Sequence, residues 1–245
     1  MIPRLKTLLL VIALAFTSTA VFADPAKDGT EVYLTAMGAG DIEHGQDKPL
    51  LLHVRIFNEL KAVAVGSKGK PLAALVRFEV KDAGGRDVKL AIRPLADSAQ
   101  KKYGITLKED RVALYFGAEP EALGALAPGV YTIQVFAASA SSGPVTLRLK
   151  KSGPDRDDTV GLYYRLDRRY DALLVHAQNM IQKTPDDPAG HIYHGDALAG
   201  LARGREALVP YSKAYDLIKA QSKGVVSVEE PLYIQQRVDE ILAKE

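Results

Sequence analysis

The feature that most constrains this chain is a change of hydrophobic period near Gly153 and Pro154. Upstream of it, apolar residues alternate with polar ones, the two-residue period of a strand that buries one face. In LLHVRIF, Leu52, Val54 and Ile56 lie opposite His53 and Arg55. ALVRFEV sets Ala74, Val76, Phe78 and Val80 against Arg77 and Glu79. The turn-forming DAGG follows, and RDVKLAI then places Val88, Leu90 and Ile92 opposite Asp87 and Lys89. That pair predicts a β-hairpin. EVYLTAM, VALYF, VYTIQVF and PVTLRLK alternate in the same way. About seven strands result, which predicts an antiparallel two-sheet sandwich over residues 24–152. Residues 153–158, GPDRDD, read as a short linker, and from Thr159 the spacing turns helical almost to Glu245. The expected fold class is multidomain: a β-sandwich followed by an all-α unit over residues 159–245.

The segment from Met1 to Ala23 stands apart from both halves. Arg4 and Lys6 precede the apolar run TLLLVIALAF, and Val21-Phe22-Ala23 offers a small-residue exit before Asp24. This layout predicts a secretory signal peptide cleaved after Ala23, and the run is too short for a bilayer anchor. The formal charge of +2 for the whole chain then falls to near zero once two basic residues leave with the leader. A near-neutral mature chain lacks the basic field that nucleic-acid binding requires. No second apolar run is long enough to span a membrane, so export without membrane insertion is expected, into the periplasm of a Gram-negative bacterium or the medium. The chain has no cysteine. Its cores must hold without disulfides, and thiol chemistry is excluded.

LAPGVYTIQV, Leu126 to Val135, resembles a late-strand landmark of immunoglobulin-like and fibronectin type III sandwiches. The resemblance implies that the Tyr131 hydroxyl bonds back to the backbone of the turn before it. The cysteine pair and core tryptophan of antibody domains are absent, so only the general sandwich is matched.

The helical half resembles a tetratricopeptide array, whose repeats are helix pairs of about 34 residues. Gly161 and Gly195 are spaced at that interval. Leu198 follows at the bulky position, and Ala207, Tyr211 and Ala214 fit the small, aromatic and small positions of a second helix. The first unit departs, with Ala172 one residue out of frame. In the second, His191, His194 and Ala202 replace the usual aromatic, leucine and turn glycine, and Pro210 falls inside a helix. SVEEPLYIQQRVDEILAKE would cap the array, with Leu232, Val238, Ile241 and Leu242 apolar. Two repeats and a cap bury little on their own, so the β half or a partner is expected to cover one end.

Candidate chemistry is sparse. His191 and His194 share a helix face, but a zinc site needs further ligands and none is spaced for it. Ser98-Ala-Gln-Lys101 matches a serine-x-x-lysine string without its companion motifs. Asp155, Asp157 and Asp158 lack the glycine and glutamate of a calcium loop. No catalytic set, metal or cofactor is expected. The resemblance implies a non-enzymatic module that binds a protein or peptide along the inner face of the first helices. Carried over position by position, Asp158, Leu162 and Arg165 would line that face, joined by Ile192, Asp196 and Ala199. Its mixed acidic and apolar character would suit a basic or apolar segment. The competing expectation is a ligand- or glycan-binding accessory subunit of an envelope enzyme or polysaccharide system, acting through the sandwich.

Overall fold

The computed structural model describes residues 30–36, 42–58, 63–65, 71–96, 105–107, 112–137, 140–154, 157–221 and 229–244. The expected leader, the Ser98–Lys101 string and Asp155 lie outside these. Among the described residues, no helix is long and apolar enough to cross a membrane. The strands, in chain order, are β1 (Thr30–Ala36), β2 (Ile42–Gly45), β3 (Leu50–Asn58), β4 (Val63–Val65), β5 (Val76–Asp82), β6 (Arg93–Pro94), β7 (Ile105–Leu107), β8 (Val112–Ala118), β9 (Gly129–Ala137), β10 (Ala140–Ser141) and β11 (Val145–Lys150). Among the described residues six α-helices accompany them: α1 (Pro120–Gly124), α2 (Asp157–Leu166), α3 (Tyr170–Lys183), α4 (Pro188–Gly200), α5 (Gly204–Gln221) and α6 (Glu229–Leu242).

Strands β1, β3, β8 and β6 form one antiparallel sheet in that order. In the second sheet β9 pairs with β5 along one edge and with β11 and β10 along the other. β2 then joins β11 in parallel, Leu147 opposite Ile42, so this sheet is mixed and not purely antiparallel. β4 and β7 pair apart as a two-stranded antiparallel sheet, and the two larger sheets feed one apolar cluster. Val32, Leu52, Val54, Leu114 and Phe116 come from the first, and Ile133, Val135 and Leu147 from the second. Phe78 of β5 meets Phe116 of β8 edge-on at 5.0 Å, tying the sheets together. The Tyr131 hydroxyl donates to the Ala127 carbonyl at 2.7 Å, the turn-closing bond expected from LAPG.

Two local expectations are corrected. Leu72–Leu75 forms a 3-10 turn, so Ala74 is exposed instead of lying on a buried strand face. The β5 hairpin begins but does not continue. Asp82 Oδ1 accepts from the Gly84 and Arg86 amides, and Gly85 takes the left-handed turn position at φ 77°. The Val88 amide donates to Val80, and the ladder stops there. Val88, Leu90 and Ile92 still pack against the core as the chain crosses to β6 of the other sheet. Alternation required only that those three side chains face inward, and a crossing segment satisfies it as well as a strand does.

In the helical half the backbone repeats at the interval that separates Gly161 from Gly195. After α2, the amides of Asp167, Arg168 and Arg169 donate to Tyr163, Arg165 and Tyr164. After α4, those of Leu201, Ala202 and Arg203 donate to Ala197, Ala199 and Leu198, each group one such interval beyond its counterpart. Arg168 and Ala202 both hold left-handed backbone, at φ 58° and 61°. This is the helix-ending pattern in which a left-handed residue lets the last carbonyls find donors. The buried positions repeat too: Leu173, Ala177 and Met180 in α3, then Ala207, Tyr211 and Ala214 in α5. Leu173, not Ala172, therefore takes the first position of that frame.

The packing does not repeat as faithfully as the backbone. The Tyr211 ring lies so close to Gly195 that a Cβ there would sit 2.6 Å from it. Ala177 stands at the equivalent place in the first unit and cannot reach Gly161. Tyr193 of α4 covers Gly161 instead, at 2.4 Å from where a Cβ would be.

The two halves meet on the outer face of the first sheet. Tyr163 of α2 is fully buried against Leu51 of β3 and Leu95. Gly117 of β8 makes the room, since a Cβ there would stand 2.3 Å from the ring. Around this plug, Arg93 of β6 holds Asp167 in a two-point contact at 2.8 and 2.6 Å. Glu119 accepts from the Tyr163 hydroxyl at 2.9 Å and from Arg169 at 2.8 Å. Burial, then the bond to Glu119, raises the Tyr163 hydroxyl well above its ordinary pKa, so it stays a donor. The sheet half thus covers α2, the first helix of the helical half.

Candidate partner-binding face

The six residues carried over to the inner face of the first helices do not form one surface. Asp158 is exposed at the start of α2, where its carbonyl accepts from the Tyr193 hydroxyl at 2.8 Å. Leu162 turns toward the junction and packs with Leu51, Leu95 and Tyr163. Ile192 and Ala199 pack, partly buried, on the cluster formed by α4, α5 and α6. Only Arg165 and Asp196 meet, at 3.3 Å.

Asp196 is the centre of the arrangement, and it is withdrawn from solvent at 2% exposure. Its Oδ1 accepts from the Tyr211 hydroxyl at 2.6 Å and from the Tyr233 hydroxyl at 2.7 Å. Arg237 lies 3.6 Å away on the same oxygen's side and also donates from Nε to the Tyr211 hydroxyl at 3.4 Å. The Arg165 guanidinium sits over the Tyr233 ring at 5.3 Å and over Tyr193 at 5.8 Å. Burial, followed by the Asp196 charge, pushes the Tyr211 and Tyr233 hydroxyls up, so both remain donors at any physiological pH. A carboxylate in such a place needs this number of donors, because an unpaired buried charge is costly.

Tyr233 and Arg237 come from α6, which the sequence offered only as an aliphatic cap. Their part in the site corrects that reading. Ile234 and Ile241 are the buried anchors of α6 and Val238 packs beside them, while Leu232 and Leu242 are 61% and 52% exposed. Of the apolar residues read from the sequence, α6 thus turns Val238 and Ile241 inward and Leu232 and Leu242 outward, and its polar side chains form the third wall of the face begun by α2 and α4. In the sequence, Tyr233 and Arg237 are four apart and so share a helix face, the one signal that could have drawn attention to them.

Beside Arg237 opens a cleft of about 500 Å³ between the α4–α5 turn and α6. Ala199, Ala202 and Ile241 supply its apolar lining, and Arg203, Arg205 and Lys244 add cations. Arg203 is held by Glu206 through two bonds, at 2.8 and 2.6 Å, and Arg237 is held by Glu240.

The histidines occupy a different face. His191 is buried and its Nε2 donates to the Pro185 carbonyl at 3.0 Å, while His194 is half-buried. Burial, then the neighbouring His191 and Arg203, pushes the His194 imidazole below its ordinary pKa. Both border a groove lined also by Gln178, Val209 and Lys213. Among the described residues no third histidine or carboxylate joins them in a cluster able to hold a metal. Pro210 is buried within α5, which runs on through it.

Comparison with family models and with curated proteins returns no match for the chain.

Proposed function

We propose that the chain is an exported, non-enzymatic interaction protein whose helical half receives a protein or peptide segment on the face shared by α2, α4 and α6. In this reading the upstream half is an immunoglobulin-like sandwich and the downstream half a tetratricopeptide-like array of two repeats and a cap. The sandwich holds the first helix through the Tyr163 plug. The observation that carries the reading is the recurrence, at the spacing of Gly161 and Gly195, of the same turn hydrogen bonds and the same left-handed residue. Stacked helical repeats build their binding surfaces from helix pairs repeated in this way. The localisation proposed with it is the periplasm of a Gram-negative bacterium, resting on the N-terminal leader pattern.

A photo-reactive amino acid placed at Ala199, which borders the cleft, tests the reading in cells. Val175 of α3, 59% exposed and away from the cleft, serves as the control position. The expected outcome is an adduct of discrete mass at position 199 and none at 175. Equal labelling at both positions, or labelling only from the sheet half at Arg77, would overturn it.

A further inference from the structure

The charge presented by the cleft between the α4–α5 turn and α6 differs in sign from the one the sequence suggested for the inner face. Of the two acidic residues assigned to that face, Asp196 is spent internally on Tyr211, Tyr233 and Arg165, and Asp158, at the start of α2, is not part of the cleft lining. What reaches the cleft is cationic: Arg203, Arg205, Arg237 and Lys244 stand against Glu206 and Glu240. We propose that this cleft binds an acidic peptide segment, gripping side-chain or terminal carboxylates with Arg203, Arg237 and Lys244 and seating an apolar side chain on Ala199 and Ile241. The proposal rests on the interaction function stated above and names the chemistry of its partner.

Three observations support it. Arg203, in the α4–α5 turn, and Arg237, in α6, are each held by a glutamate three residues further along the chain, so their planar forks are pre-oriented. A pre-organised guanidinium loses less freedom when it forms its remaining hydrogen bonds, and its geometry matches a carboxylate two-for-two. The cleft, at about 500 Å³, has the size of a pocket for a few side chains. Its apolar lining distinguishes it from a flat basic surface, and favours a peptide carrying both carboxylates and aliphatic groups over a phosphate-rich polymer or membrane.

The test uses the mature protein, residues 24–245, and fluorescence anisotropy with three labelled octapeptides of alternating sequence. One carries glutamate and leucine, the second glutamine and leucine, and the third lysine and leucine. The acidic peptide is expected to bind at least about tenfold more tightly than the glutamine peptide, with an affinity that falls as salt rises. Arg203→Glu combined with Lys244→Glu should weaken it by about tenfold or more, while Lys213→Glu, on the histidine face, should leave it unchanged. Thermal melts of each variant confirm that the fold is retained. Equal binding of the acidic and glutamine peptides overturns the proposal, as does indifference to the double reversal. Preference for the lysine peptide, with crosslinking at position 199 intact, overturns the charge assignment and leaves the interaction function standing. Sedimentation with vesicles of anionic phospholipid, without binding of the acidic peptide, assigns the cleft to a lipid surface and overturns the proposal. Absence of both peptide binding and a crosslinked adduct brings down the two readings together.

Discussion

The sheet half and the helical half of this molecule solve the same problem in opposite ways. In the sheet half a single apolar cluster gathers side chains from both sheets, and nearly all of its buried residues are aliphatic or aromatic. In the helical half the burial is divided among smaller clusters, each shared between successive helices. Close approach there depends on glycine against tyrosine, Gly161 with Tyr193 and Gly195 with Tyr211, and a buried carboxylate links α2, α4, α5 and α6. The difference teaches where each half is vulnerable. A truncation in the sheet core is felt within the one cluster that its two larger sheets share. A stack of helix pairs transmits the loss along the stack, because each pair is completed by its neighbour.

The junction is the place to break this contrast, and it carries the largest expected effect. Tyr163 is fully buried between the halves, and truncation of a large buried aromatic costs roughly 3–5 kcal/mol. Tyr163→Ala should therefore lower the melting of the helical half and separate it from that of the sheet half, seen as two transitions by calorimetry. A single transition at the wild-type temperature would show that the array does not lean on the sheet. The ion pairs around the plug are half-exposed at Arg93 and Arg169 and contribute less, within about 1 kcal/mol each.

Next in size is the buried carboxylate. Asp196→Ala strands two tyrosine hydroxyls and removes the partner of Arg165, at an expected cost of about 3 kcal/mol confined to the helical transition. Asp196→Asn keeps an acceptor for the tyrosines and should lose less. Chemical denaturation followed at both transitions measures the two variants side by side. An equal loss in the sheet transition would contradict the division of the molecule drawn above.

How much of this was legible in the sequence follows the same contrast. Strand faces could be read because a two-residue period is local: Leu52, Val54 and Ile56 are buried as their alternation requires. Leu51 breaks that alternation, and the run Leu50-Leu51-Leu52 was the visible sign that β3 is covered on both faces. Which element covers it could not be read, because Gly117 and Tyr163 become neighbours only in the fold. The recurrence of the turn hydrogen bonds was legible in the spacing of Gly161 and Gly195. The site was not. Helix α4 is buried around most of its circumference, so no stripe distinguishes the face of Asp196 from that of His191. The α6 contribution depends on a hydrogen bond between Tyr233 and Asp196, far apart in the chain, which no periodicity announces.

A third effect separates the halves by pH. His53, on the outer face of β3, stacks on Tyr115 at 4.7 Å, and burial with the nearby Arg55 charge lowers its pKa from 6.5 to about 4. The folded state therefore favours the neutral imidazole, and the unfolded chain binds the extra proton between these two values. This contribution to stability is fully present above pH 6.5 and is lost as the pH falls toward 4, about 3 kcal/mol across the window. Urea titrations of the sheet transition at pH 7 and pH 4.5 should show this slope, and His53→Phe should flatten it. A helical transition that responds to His53→Phe as strongly as the sheet transition would remove the distinction.

The smallest effect is the sharpest test of whether the helical half is a true repeat. Arg168 and Ala202 both occupy left-handed backbone, a conformation that costs an L side chain roughly 1 kcal/mol and costs glycine almost nothing. Glycine at either position should stabilise the helical half by a few tenths to about 1 kcal/mol, the gain being offset in part by the freedom glycine adds to the unfolded chain. The hydrogen bonds flanking the two turns are the same, and neither site is buried. If backbone geometry governs these positions, Arg168→Gly and Ala202→Gly should give equal gains, and the double variant should give their sum. A gain at Ala202 with a loss at Arg168 would place the second turn alone under repeat constraints. The first turn would then answer to the sheet half through Asp167 and Arg169, which flank Arg168 and bind Arg93 and Glu119.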